Sequence, residues 1–151
     1  MYAQEPWSGY YTVNSPIWTS AQWTQFTEPG WRFLSVPGGG SSRLPGGGSY
    51  VTLVPPTGVG VTLILETLEG ACLRCGGESP SPPTLYTFAL SGGQLPGPGT
   101  LLHVWATNET AYFVELPSVT VRADGSFDVL LPADSMVTVS TQQGFVRGSW
   151  G

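Results

Sequence analysis

At 151 residues the chain is long enough for one domain with its own core. Only 10% of its residues are charged, none is lysine, and the formal net charge is −5. That balance argues against nucleic acid and anionic membrane as partners, since both are bound by clustered basic side chains. No run reaches the roughly 18 apolar residues of a membrane span. Met1 is followed directly by Tyr2, Gln4 and Glu5, so no targeting signal is read here. The 21 glycines and 14 prolines lie between apolar runs and read as turns of an all-β domain. Six tryptophans point to a packed core plus some exposed aromatic surface.

In chain order, residues 1–28 stand apart. A loop-like start leads to Ser15-Pro16, which reads as a helix start with serine as cap and proline at the first helical position. Ile17, Ala21 and Phe26 form an apolar side, Trp18 and Trp23 add bulk, and Glu28-Pro29-Gly30 ends the helix. That apolar side has no evident partner in the rest of the sequence.

From Trp31 onward the pattern is β. Strands are expected near Trp31–Val36, Ser49–Val54, Val61–Leu68, Leu85–Leu90, Leu101–Ala106, Tyr112–Leu116, Ser118–Arg122, Ser126–Leu131 and Met136–Thr141. The segment PGGGSSRLPGGG reads as a flexible loop. Asp124-Gly125, between Val121 and Phe127, is the clearest hairpin signal. Many short strands with regular turns predict a two-sheet antiparallel β-sandwich. Trp31 and Trp105 fall in strands and are expected in its core.

The strongest strand signal, Val61 to Leu65, is apolar on both alternating faces, as suits a strand covered on both sides. It runs into a loop that sets Arg74 between Cys72 and Cys75. A buried strand ending in a loop with one arginine is a rigid arm carrying a cationic fork, a common way to present a ligand contact. The CxxC spacing fits a redox pair, half a zinc site or a small disulfide. Zinc needs about four ligands, and His103 is the only other soft candidate, so no metal is expected. A redox CxxC normally opens a helix, whereas this one is followed by Gly76-Gly77 and prolines. No cofactor is implied, because the glycine-rich loops lack the lysine and helix of a phosphate site. His103 lies in an apolar strand and reads as a core or edge histidine. Asn108-Glu109-Thr110 is a glycosylation sequon.

The motifs carry a resemblance over essentially the whole chain. The opening stretch, with AQEPWSG and then TQFTEPGW, closely resembles the end of the catalytic barrel and the entry to the sandwich in the galactocerebrosidases, glycoside hydrolase family 59. GGSYVTL, VTLILETLEGACLR, LYTFAL, LLHVWAT and DGSFDVLLPADSMVTVSTQQG follow in the family's order, while the loops are richer in glycine and proline than in its animal members.

The resemblance implies that residues 1–28 are the closing remnant of a TIM barrel and residues 29–151 the β-sandwich domain. It implies a parent that removes terminal β-galactose from glycosphingolipids with retention, working in the lysosome or after secretion. The missing barrel upstream would hold both catalytic glutamates, so this chain alone is expected to be inactive; Glu5 matches neither. Arg74 matches the arginine that the sandwich lends to bound galactose. Cys72 matches a cysteine tied to the barrel by a disulfide, while Cys75 has no counterpart, and their pairing stays open. Trp7, with Tyr10 and Tyr11 nearby, would sit at the barrel rim, where sugars stack on aromatic faces. The alternative from a different class is a standalone β-sandwich module for carbohydrate binding or protein interaction.

Overall fold

The computed structural model describes residues 6–9, 13, 15–35, 40–45, 47–67, 82–91 and 95–145. Among these, one helix, α1 (Ser15–Thr24), precedes nine strands. They are β1 (Arg32–Phe33), β2 (Ser41–Arg43), β3 (Ser49–Val54), β4 (Thr62–Glu66), β5 (Thr84–Ala89), β6 (Leu101–Thr107), β7 (Val114–Thr120), β8 (Ser126–Leu131) and β9 (Met136–Ser140). Seven form one sheet in the order β1-β3-β4-β9-β6-β7, with β2 also on β3. β5 and β8 form the second sheet. Every pairing is antiparallel, so the expected two-sheet sandwich is what the chain forms.

The core lies between the sheets and follows from period-2 alternation. Leu63 and Leu65 of β4, Val137 and Val139 of β9, and Leu102, Val104 and Ala106 of β6 point inward. They meet Phe127, Val129 and Leu131 of β8, with Tyr86 and Phe88 of β5 packed alongside. Phe88 stacks on Phe127 with ring centroids 5.6 Å apart.

The large sheet is covered on its other face too, by α1. Trp105 alternates out of the inward face of β6 and meets Phe26 and Phe113, forming a second buried cluster against which Trp18 and Ala21 pack. The Trp105 and Phe113 rings stack at 4.7 Å. Most of the helix side that lacks an evident partner in sequence therefore has one in the fold, supplied by residues some eighty positions away, while Ile17 stays exposed.

Polar groups join the same layers. Gln22 is fully buried and its Nε2 donates to Thr107 Oγ1 at 2.8 Å. The hydroxyls of Thr138 and Thr62 donate to the carbonyls of Gln22 and Phe26, at 2.8 and 2.7 Å. A helix end leaves its last carbonyls without intrahelical donors, and here a sheet hydroxyl supplies the one on Gln22. The chain then turns at Glu28–Trp31, where Trp31 N–H donates to the Glu28 carbonyl and Gly30 takes φ +100°. Proline followed by a glycine at positive φ is the pattern that closes such a turn.

Four strand-level expectations change. First, the glycine-rich loop contains β2, which pairs with β3 from Ser41↔Val51 to Arg43↔Ser49, in line with β1 along the same edge. Second, the two segments split at Pro117 are one strand, β7. It is an edge strand bonded to β6 alone, where a residue without N–H is tolerated. Between Leu102↔Val119 and Val104↔Leu116, Pro117 and Ser118 oppose His103, so the proline sits in a bulge. Third, Asp124-Gly125 turns the chain, with Gly125 N–H bonded to the Arg122 carbonyl at 3.0 Å, but the flanking strands do not pair. β7 belongs to the large sheet and β8 to the small one, so this turn is a crossing between sheets. Fourth, Trp31 is half-buried and lies just outside β1, whereas Trp105 is in the core as expected.

Candidate functional site: the end of β4 and the cleft between the sheets

Thr62 to Leu65 are all buried, because β4 lies between β3 and β9 with β8 beneath and the Phe26 segment after α1 above. Its far end is held in place by polar contacts. Ser49 donates to Glu66 Oε1 at 2.8 Å. Thr67 is clamped to the turn before β9: its N–H donates to the Ser135 carbonyl at 3.0 Å, its hydroxyl donates to the Pro132 carbonyl at 2.8 Å, and it accepts from Ser135 N–H at 2.9 Å. Gly48, at φ +88°, lies so close to the Glu66 carbonyl that a Cβ there would overlap it. The base from which the chain leaves toward Arg74 is thus fixed on three sides. Arg74, Cys72 and Cys75 themselves fall outside the described residues, as do Glu5, Tyr10 and Tyr11.

Between β5 and the β2–β3 edge opens a cleft of about 360 Å³. Tyr50, Tyr86, Phe88 and Leu63 line it, with Ser42 and Ser91 among its polar residues. The Tyr86 hydroxyl donates to the Pro45 carbonyl at 2.5 Å, which ties β5 to the loop after β2. Among the described residues no carboxylate or histidine lines the cleft, so these residues offer surface for binding and no group for acid–base work.

The other sequence candidates lie apart from it. Trp7 sits on a single 3-10 turn, Pro6–Ser8, and is 82% exposed, a free aromatic surface. His103, in the β6 bulge, places Nδ1 3.6 Å from Glu115 Oε1. Asn108 is engaged by its own turn. Its Oδ1 accepts from Thr110 N–H at 3.0 Å and Ala111 N–H at 2.7 Å, and its Nδ2 faces Ser135 Oγ at 3.4 Å. Among the described residues no three histidine, cysteine or acidic side chains converge on one point. None of the described helices is long and apolar enough to cross a membrane.

The charge cluster is elsewhere, at the crossing turn. Hydrogen bonds from the Ser126 hydroxyl and N–H hold the Asp124 carboxyl below the usual range. The Thr87 hydroxyl, then Arg122, do the same for Asp128. Sequence reading passes over Thr67, Ser135 and Gln22, which position these elements. Each bonds to a residue tens of positions away, and no local pattern announces such a partner.

The fold is an antiparallel sandwich of a kind that occurs in glycosidases. It superposes on a GH30 endoxylanase from Clostridium papyrosolvens C71 with a TM-score of 0.59, over 87% of this chain and 28% of that one, at 14% identity. In sequence the chain is homologous to one segment of the galactocerebrosidases. The Homo sapiens protein is 38% identical over 99% of this chain, the Mus musculus protein 37% over 99%, and the Salmo salar protein 35% over 99%. The chain spans only 22% of the length of the human and mouse relatives and 23% of the salmon one. No family model matches it.

Proposed function

We propose that this chain is the sandwich part of a galactocerebrosidase-like glycosidase, a retaining β-galactosidase acting on galactosylceramide-type lipids in a lysosomal or secreted setting. The observation that carries the reading is homology along 99% of the chain to proteins named for that activity. Residues 1–28 close a TIM barrel whose upstream strands supply two carboxylates, about 5–5.5 Å apart as retention requires. This chain supplies none of the acid–base chemistry. It lends the galactose one contact, the Arg74 guanidinium, a charged fork suited to hydroxyl acceptors. The fixed end of β4 supports that role, since a positioned group has to stand on a rigid base. Trp7 offers a stacking surface near the same rim. Cys72 ties the sandwich to the barrel, and Asn108 is a glycan acceptor.

The test is the native polypeptide and its arginine. Antibodies against this chain should detect a product several-fold larger that hydrolyses a β-galactoside with retention. In it, Arg74→Ala should lower kcat/KM by about tenfold or more, as loss of a charged hydrogen bond predicts, while leaving the melting temperature unchanged. Undiminished turnover would remove Arg74 from the site.

One observation favours a second reading, a standalone binding module: α1 is seated on the sandwich, with Phe26 fully buried. Under it the native product has the 16.0 kDa mass of this chain and no hydrolase activity.

A further inference from the structure

A second, smaller hollow lies on the helix side of the large sheet, where α1 ends beside β3 and β4. We propose that it binds a small organic cation, a quaternary ammonium group. The hollow measures about 100 Å³ and is bounded by Trp23, Ser49, Val51, Ile64, Glu66 and Met136. Glu66 is half-buried, and no cationic group lies within 4 Å of it among the described residues. Its Oε1 accepts the Ser49 hydroxyl, which leaves Oε2 without a protein donor among those residues. Trp23 belongs to the last turn of α1, the end at which a helix carries partial negative charge. The whole chain has a net charge of −5, and no basic residue lines the hollow among the described residues.

These features select the ligand class. A half-buried carboxylate with no cationic partner among the described residues, beside a helix C-terminus, calls for positive charge. The remaining walls are largely an indole, a thioether and aliphatic side chains, which are polarisable, with Tyr50 and Leu65 completing the lining. A hydrated metal ion wants more oxygen ligands than one carboxylate. A pyranose needs donors as well as acceptors, and the Ser49 hydroxyl is already donating to Glu66. A weakly hydrated alkylammonium suits the mixture, because it gains from both the carboxylate and the aromatic wall. The inference is independent of the glycosidase reading.

The experiment is a ¹H–¹⁵N NMR titration of the whole chain with tetramethylammonium and choline chlorides. Sodium chloride at matched ionic strength and galactose serve as controls. Saturable shifts are expected at the Trp23 indole N–H and at the Ser49 and Glu66 amides, with both organic cations and with neither control. Glu66→Gln keeps an acceptor for Ser49 and removes the charge, and should weaken binding by about tenfold. Trp23→Leu should do the same. If that variant loses spectral dispersion because the helix is unseated, Glu66→Gln alone decides the question. The proposal is overturned by an equal response to sodium, by shifts centred elsewhere, by unchanged affinity in Glu66→Gln, or by galactose occupying the hollow in place of the cations.

Discussion

Gly144 illustrates how single positions are constrained in this molecule. It is buried under the helix, and a Cβ there would lie 2.7 Å from Cζ of Phe26 and 2.9 Å from Cε2 of Trp105. Both rings are already packed, against each other at 6.1 Å and against Phe113, so neither has room to retreat. Gly144→Ala should therefore cost about 1–3 kcal/mol, the usual penalty of overpacking, read as a lower urea midpoint with an unchanged slope. Adding Phe26→Leu should recover part of the loss if the clash is with that ring. Full stability in the single variant would mean that the tail after β9 is not held there. Such constraints are poorly legible in sequence. Gly144 looks like any turn glycine, because the rings that define it come from residues 26 and 105. Arg74 stood out through its place after a strand and through motif resemblance. Glu66 did not, since a lone glutamate at a strand end carries no pattern.

At the level of elements, β4 is the clearest case of sequence dictating structure. Four consecutive buried residues, Thr62 to Leu65, need cover on both faces, and the pattern of the strand alone announces that need. What it does not announce is the identity of the covers: β8 on one side, the end of the helical segment at Phe26 on the other. Leu65 is fully buried in the main core beside Val137, its partner in register on β9. Leu65→Ala should cost about 2–5 kcal/mol by chemical denaturation; a change below about 1 kcal/mol would show that the strand tolerates a cavity and is not central. Strand existence was broadly legible, because alternation and turn residues are local signals. Sheet membership was not. Asp124-Gly125 forms the expected turn, but whether its flanks pair or part depends on the whole sandwich. β2 was hidden because Ser41-Ser42-Arg43 has no apolar alternation, and its pairing with β3 comes from backbone bonds alone. The helix, weak in intrinsic propensity with four Ser/Thr residues in ten, is held by its contacts with the sheet.

Across the whole molecule, the two sheets are joined at the crossing turn, and there the fold is sensitive to acid. Arg122, just beyond β7 of the large sheet, pairs with Asp128 on β8 of the small sheet and donates to the Ser126 hydroxyl at 2.9 Å. Thr87 on β5 donates to the same aspartate at 2.7 Å, so one carboxylate links both strands of the small sheet to the end of the large one. Asp128 and Asp124 both titrate below their ordinary 3.8 in the folded state. A depressed carboxyl binds its proton more readily in the unfolded chain, so acid favours unfolding. The contribution is fully present above the ordinary value. It declines as pH falls through 3.8 and is gone below the lowered folded-state value. Asp124 is exposed and Asp128 half-exposed, so the effect is screened by salt. Asp128→Asn should accordingly lower the urea midpoint at neutral pH, and the gap from wild type should close as the pH is taken below that window. Raising the ionic strength at neutral pH should narrow the same gap, because the Arg122 pair faces water. A gap that stays constant down to the lowest pH would assign the loss to the Thr87 hydrogen bond alone and leave the ion pair without a share in joining the sheets.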